Sequence, residues 1–466
     1  MGIWIIGLVD LWMNGLGSLG SRLLPGLCQN ARMVWRLNLA RLLLLAIALA
    51  FLASCQTKPV NVHSSEHQQF SHFIGLTDFT GFDRTTNRIG DGRVVLLSRE
   101  ITPPMAWDQL VVSWNVSAPP GTFLEAACAA ATVSSKPPAG SRMTRFYSLG
   151  RWSPDDQLFP RASVSGQNDA DGEVNVDTLV LKHSTAGAVQ IRLTLGGTNG
   201  ALPTMKFLGL SFCNCGSATG NDAEAAGGGA PLGGSATGNK HPAWGKVLPV
   251  VERSQQSYAG GNGWCSPTSL SMVLSYWGSE SNRADWKLDA PEVAAGVIDH
   301  NFKKATGNWA FNTAYAGSLN GMRAYVTRFS DISELEEWIA AGIPVVISAR
   351  YDLLQDGRKP DYNGHLTVCR GFTKNGDVVI NDPWTDLKVE SVRHIYKREN
   401  VRRAWATSHN TVYLVYPETV KPPPDPLGEW FDGEDGETKM GGGGSGSITG
   451  IHLHSCPGIG RLSMNR

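Results

Sequence analysis

The sequence predicts an all-β sandwich followed by an α+β domain, on three observations. From about residue 73 to 213, short apolar runs alternate with polar residues and are broken by Gly, Pro, Asn and Asp. From 214 to 245 the chain is rich in Gly, Ala, Ser and Thr. From 247 to 416, helical patterns come first and strand patterns follow, the order of an α+β domain.

In the first region the runs 93–97, 109–114, 178–181, 189–195 and 207–212 have period two, and Pro119-Pro120-Gly121 and Gly196-Gly197 supply turns. Such spacing reads as an antiparallel sandwich. The hexapeptide Gly-Ser-Ala-Thr-Gly-Asn occurs at 216–221 and again at 234–239. A segment of that composition buries too little apolar surface to fold and behaves as a tether. In the last region, 266–277 reads as a helix with Pro267 in its first turn. A second helix is expected at 331–341, started by Asp331 or Ser333 and stopped by Gly342 and Pro344. Strands are expected at 343–349, 366–372, 378–381 and 411–416. The domain plan is therefore a signal segment at 1–54, a sandwich at 65–213, a linker at 214–245, an α+β domain at 246–417 and a disordered tail at 418–466, where Pro422-Pro423-Pro424 and four successive glycines occur.

Composition narrows the function. Lys plus Arg and Asp plus Glu are both 41, so no basic excess exists to neutralise a nucleic-acid backbone, and no nucleic-acid partner is expected. Charged residues at 18% and 53 glycines point to an exported, loop-rich chain, while 15 tryptophans argue for substantial cores. No nucleotide, haem or metal motif is present, and no cofactor is expected.

Residues 37–54 are nearly all apolar, follow Arg32 and Arg36, and end in Leu52-Ala53-Ser54-Cys55. That is a basic region, an apolar region and a small-residue cleavage site; an anchoring helix and a plain secretory signal are the rivals. A start at Met33 would put this signal directly at the N-terminus. Leu-Ala-Ser-Cys resembles the lipobox of bacterial lipoproteins. The resemblance implies cleavage before Cys55, a lipid on Cys55 and a mature chain of 466 − 54 = 412 residues. With Gln56 after the cysteine, it implies the outer membrane in a cell that has one. The expected location is the cell envelope, lipid-anchored, or the exterior.

One cysteine stands where chemistry is expected. In Gly260-Gly261-Asn262-Gly263-Trp264-Cys265-Ser266-Pro267, Cys265 lies where a Gly-rich loop turns into an apolar helix. Unpaired N–H groups at a helix start favour the thiolate, although an isolated cysteine is more often a small core residue. Further on, Asn363-Gly364-His365 opens one strand, and another runs into Asp382-Pro383-Trp384. A histidine takes the proton from a thiol and later delivers it to a leaving group, and a carboxylate on its other nitrogen orients it. A regular hairpin with Asn375-Gly376 as its turn would place 382 opposite 369, leaving His365 about 13 Å along the ladder. A bulge, a longer turn or strong twist is required to join them.

The segment 263–278 (GWCSPTSLSMVLSYWG), with Gly364-His365-Leu366-Thr367-Val368 and Asn381-Asp382-Pro383-Trp384, resembles the bacterial peptidase C39-like family of papain-fold cysteine peptidases. Papain-type enzymes hold histidine and its orienting Asn or Asp across a twisted hairpin, at a separation like the 17 residues between His365 and Asp382. The resemblance implies Cys265 as nucleophile, His365 as general base and acid, and Asp382 as orienting residue. It also implies an oxyanion hole from the Cys265 N–H and a glutamine, Gln255 or Gln256, with Gln255 preferred. Both stand further ahead of the cysteine than in near relatives of papain, and the glycine-rich loop between would absorb the difference. Ser113-Trp114-Asn115 and 149–153 resemble the N-terminal region of some family members.

The implied function is a lipid-anchored thiol hydrolase with a peptide or protein substrate, cleaving a peptide or isopeptide bond. The sandwich would position a substrate, a glycan or an envelope partner, and the tether would let the catalytic domain reach it. The alternatives are a peptide-binding or assembly lipoprotein without catalysis, and an amidase or transferase acting on peptidoglycan stem peptides. Cys369 reads as a core residue. Cys213 and Cys215 read as a bridge, or as two ligands too few for a metal site. His452, His454 and Cys456 in the tail carry no specific metal site. Trp114 and Trp152 read as core more readily than as sugar platforms.

Overall fold

The computed structural model describes residues 70–86, 92–133, 141–216, 241–302, 305–355, 364–425 and 430–432. The signal segment, Cys55, most of the linker and the His452–Cys456 cluster lie outside them. Among the described residues no helix is long and apolar enough to cross a membrane.

Eleven strands build the sandwich: β1 (Ser71–Leu76), β2 (Asp83–Thr86), β3 (Val94–Leu97), β4 (Gln109–Ser117), β5 (Thr122–Val133), β6 (Ser141–Met143), β7 (Tyr147–Trp152), β8 (Gly172–Asn175), β9 (Thr178–Leu181), β10 (Thr185–Gly197) and β11 (Thr204–Cys213). One sheet runs β1-β11-β4-β9-β8 and the other β2-β3-β10-β5-β6, with β7 also paired to β5. The α+β domain contributes α1 (Cys265–Glu280), α2 (Ala290–Val297), α3 (Trp309–Ser318), β12 (Met322–Arg328), α4 (Ile332–Ala340), β13 (Val345–Arg350), α5 (Tyr351–Leu354), β14 (Gly364–Phe372), β15 (Val378–Asn381), β16 (Arg393–Tyr396), α6 (Arg398–Ala406) and β17 (Thr411–Pro417). Its antiparallel sheet is ordered β12-β17-β13-β14-β15-β16. The fold is thus α+β, a mixed helix-and-sheet domain behind an all-β sandwich.

Side-chain alternation shows how the two domains meet. On β4, Leu110, Val112, Trp114 and Val116 point into the sandwich core, while Val111 joins the core of the second domain. The intervening polar residues face that domain as well. Ser113 Oγ accepts the Val326 N–H (2.8 Å), and Asn115 accepts the Ala324 N–H (3.0 Å) and donates to the Ala324 carbonyl (2.6 Å). Two side chains thereby do for β12, the outermost strand of its sheet, what a neighbouring strand would do. The apolar contacts run both ways. Phe73 and Phe207 of the sandwich pack on Tyr325, with ring centroids 4.5 and 5.5 Å away. Ala310, Phe311 and Ala314 of α3 are buried in the sandwich core. Full burial of a residue like Phe311 contributes roughly 2–3 kcal/mol. The expectation of a catalytic domain reaching out on a tether therefore gives way to two docked domains with interlocked cores.

Two boundaries also differ from expectation. His241 to Gly245, placed in the linker by composition, belong to the second domain: Ala243 is buried, His241 Nε2 contacts Glu337 at 2.9 Å, and Gly245 N–H donates to the Phe372 carbonyl at 3.0 Å. Within the tail, Trp430–Asp432 form β18, parallel to β1. The open edge of β1 offers the unpaired backbone groups that recruit it.

Candidate active site

Cys265 is the first residue of α1, and Trp264 at the N-cap supplies no side-chain cap. The helix is buried on every side, from Ser266 through Gly278, which explains why it shows no polar face. Its small polar residues permit close approach and tie it to the sheet. Ser269 Oγ donates to the Leu366 carbonyl (2.9 Å), Ser266 Oγ meets Tyr413 Oη (3.0 Å), and Trp277 Nε1 donates to the Val415 carbonyl (2.8 Å). The first of these bonds sets the start of α1 against the residue after His365. The preceding loop needs its glycines: Gly260 and Gly263 have φ of 80° and 84°, and a Cβ on Gly261 would lie 1.9 Å from the Gln255 carbonyl oxygen.

The hairpin solves the spacing problem in two steps. Phe372 pairs with Val378, so the connection is five residues long, 373–377, instead of two. The register then shifts again between Cys369 and Gly371, and Val368 pairs with Asn381. Each step moves Asp382 one residue closer, from opposite 369 to opposite 367 by continuation. His365 then lies two residues away on the same face. His365 Nε2 reaches Asp382 Oδ1 at 2.7 Å, with both side chains buried. The carboxylate is held in turn: Oδ1 also accepts the Trp384 N–H (2.9 Å) and Oδ2 accepts Tyr396 Oη–H (2.8 Å). Tyr351 meets the His365 ring edge-on, centroids 5.1 Å apart.

With Nε2 on Asp382, the other imidazole nitrogen serves Cys265, whose side chain is hydrogen-bonded to His365. Burial disfavours the Cys265 thiolate, but the His365 hydrogen bond and charge, with backbone bonds at Leu366 and Ser266, outweigh it and lower the thiol's pKa. The other two free thiols among the described residues, Cys128 and Cys369, have no such partner and burial pushes both up to about 12. For His365, burial favours the neutral ring, yet the Asp382 charge and hydrogen bond raise it to about 10. Burial also works against the Asp382 carboxylate, and the His365 charge and the donors around it hold its pKa below the usual value. The three groups thus favour a thiolate–imidazolium pair beside a carboxylate.

Gln255 is buried in a short 3₁₀ turn, its N–H donating to the Pro383 carbonyl (2.8 Å) and its Nε2 to the Gly261 carbonyl (3.0 Å). It sits between the cysteine loop and the aspartate loop, and the extra residues ahead of Cys265 are taken up by the turn at 258–264. Its amide bonds to Gly261 in this state, not to the thiol. Gln256 is exposed and donates to the Trp384 carbonyl. Tyr396 and Tyr351 escaped sequence reading, because β16 and α5 are short and neither residue belongs to a motif. Cys369 is buried in β14, as expected of a core residue. Cys213 and Cys215 form a disulfide. Trp114 and Trp152 lie in the sandwich core, fully buried, and so offer no sugar platform.

Residues 247–413 match the pattern of the peptidase C39-like family, and residues 68–212 match that of the peptidase C39 N-terminal domain. Among solved structures, a candidate C39-like peptidase from Bacillus anthracis is 21% identical; the match covers 38% of this chain and 99% of that one, with a TM-score of 0.29. No curated protein matches the sequence. The two family patterns meet the two docked domains in order, and the second domain belongs to the peptidase C39-like family.

Proposed function

We propose that the protein is a cell-envelope cysteine peptidase that cleaves a peptide or isopeptide bond through an acyl-enzyme on Cys265. The observation that carries it is the chain from buried Asp382 through buried His365 to half-buried Cys265, with the thiol's pKa lowered at the end of it. The Cys265 thiolate attacks the scissile carbonyl, and the His365 imidazolium gives its proton to the leaving amine as the C–N bond breaks. Water then attacks the thioester, with neutral His365 as base and the thiolate as leaving group. Asp382 stays ionised throughout and fixes the ring. The developing oxyanion takes the Cys265 backbone N–H, uncapped at the start of α1, and the second amide hydrogen of Gln255. The Leu52–Cys55 motif supports a lipid anchor on Cys55 and an envelope location.

The test is acyl-enzyme trapping. Purified protein is mixed with peptides released from cell-envelope proteins, quenched in acid and weighed by intact mass spectrometry. An adduct on Cys265 with matching new amine termini, both absent in Cys265→Ala, supports the proposal. Peptide binding by both proteins with no cleavage by either overturns it in favour of a binding protein.

A further inference from the structure

A second buried carboxylate, far from Asp382 in the sequence, lies on the seam between the domains. Asp299 is fully buried, and three neutral donors hold it. Oδ1 accepts the Ser163 N–H (3.0 Å) from the sandwich and the Asn301 N–H (3.1 Å), and Oδ2 accepts Asn308 Nδ2 (3.0 Å). Asn308 is itself committed, its Oδ1 capping α3 through the Phe311 N–H (3.1 Å). Two residues earlier, Thr306 donates from Oγ1 to the Gly263 carbonyl (3.1 Å), and its own carbonyl accepts Asn312 Nδ2 (2.8 Å). Gly263 is two residues ahead of Cys265. The sandwich side is equally tied: Asn301 Nδ2 donates to the Ser163 carbonyl (2.8 Å), the His300 N–H to the Arg161 carbonyl (2.9 Å), and buried Arg161 donates to the Ala295 carbonyl (2.6 Å).

Asn312 Nδ2 also donates to the Asn308 carbonyl (2.8 Å), so a continuous hydrogen-bonded path runs from the sandwich through Asp299, Asn308, Asn312 and Thr306 to the Gly263 carbonyl in the cysteine loop. Burying a carboxylate on neutral donors is costly where packing alone would serve, and here it ties the Ser163 segment of the sandwich to the 299–308 loop, whose two arms also meet at the Asp299–Ala305 bridge. Gly263, with φ of 84°, has the freedom to swivel, and the Thr306 bond fixes its carbonyl. That carbonyl lies in the Gly263–Trp264 peptide, next to the Trp264–Cys265 peptide that carries the Cys265 N–H, so holding it restricts how the cysteine can turn.

We propose that Asp299 is a positioning residue for the reaction at Cys265, and that through it the sandwich holds the cysteine loop in its working geometry. The inference rests on the reading of Cys265 as nucleophile. The sandwich is then part of the catalytic apparatus, not only a module that finds a substrate.

The test uses the whole mature chain and alkylation of Cys265 by iodoacetamide, followed from pH 4 to 10. In Asp299→Asn, the new amide faces Asn308 Nδ2 donor to donor, and Asn308 is not free to turn because its Oδ1 caps α3. The expected result is about a tenfold slower alkylation at pH 6, from a thiolate midpoint about one unit higher. The double variant Asp299→Asn with Asn308→Asp reverses donor and acceptor while keeping the cap, and should recover most of the rate. Val189→Ala, in the sandwich core and remote from the path, should lower thermal stability and leave the pH profile unchanged. An Asp299→Asn profile equal to wild type, a double variant no faster than the single, or a Val189→Ala shift as large as that of Asp299→Asn overturns the inference and leaves the Cys265 assignment standing. Ordinary thiol behaviour in the wild type overturns both.

Discussion

Replacing Asp382 by Asn separates the charge of this residue from its geometry. The amide keeps an acceptor for His365 Nε2 and the Trp384 N–H, and the Tyr396 hydroxyl can turn to accept from the new Nδ2, so the hairpin has no reason to move. What is lost is one buried negative charge. The atoms are 2.7 Å apart and the charges are spread over both groups, so about 4 Å separates their centres. At an effective dielectric constant near 20 that pair is worth about 4 kcal/mol, or about three pKa units. Removing it lowers the His365 pKa well below its present value of about 10, and the thiolate–imidazolium pair loses its advantage over the neutral pair. Alkylation of Cys265 at pH 6, followed by mass spectrometry, should slow by at least about a hundredfold, with folding unchanged by circular dichroism. An alkylation profile identical to wild type would refute the assignment of Asp382 as the charge that sustains the pair.

Tyr396→Phe removes one donor from the buried Asp382 carboxylate, a charge-assisted bond worth about 1.5–3 kcal/mol; the acid limb of the Cys265 alkylation profile should move to higher pH. The pair also makes stability depend on pH. The raised His365 value stabilises the fold below its unfolded value near 6.5 and that contribution is lost as pH rises through about 10, whereas the depressed Asp382 value stabilises above about 3.8 and is lost in stronger acid. Urea midpoints of wild type and His365→Ala should therefore differ most between about pH 3.8 and 6.5, draw together as pH rises towards 10 and converge above it. Gly261→Ala forces a Cβ against the Gln255 carbonyl and should cut peptide cleavage by more than about tenfold while thermal stability falls by only a few degrees. Phe311→Ala empties a site shared by both domains and should destabilise the whole unit by about 3–5 kcal/mol in a single transition; two separate unfolding transitions would contradict interlocked cores.

The cysteine and its helix were legible because glycines, an N-terminal proline and a run of apolar and small polar residues each carry local meaning, and α1 begins one residue from where those signals put it. Strand β15 was legible to the residue for the same reason. The distance between His365 and Asp382 was not. Asn375-Gly376 signals a two-residue turn, but Thr373 hydrogen-bonds the Asn375 and Asp377 N–H groups and the turn widens to five residues. The shift at residue 370 accompanies tertiary partners of Arg370, namely Glu252, Asn381 and the Leu248 carbonyl. Helix α3 was hidden because it is wedged between domains and has almost no polar face to reveal its period. Helix α2 did leave a trace, the Asp289 to Glu292 capping box with Pro291. The docking of the domains was written in Ser113 and Asn115, two polar residues in an otherwise buried strand, and their meaning depends on which edge lies opposite.

The central claim is an activated thiolate at Cys265 maintained by His365. The direct measurement is the pH dependence of iodoacetamide labelling in the mature protein, compared with Cys265→Ala and His365→Ala. Labelling at Cys265 that persists well below pH 8, disappears in Cys265→Ala and retreats to the pH range of a simple thiol in His365→Ala is the predicted result. Labelling that follows an ordinary thiol in the wild type, or that is unmoved by loss of His365, would contradict it.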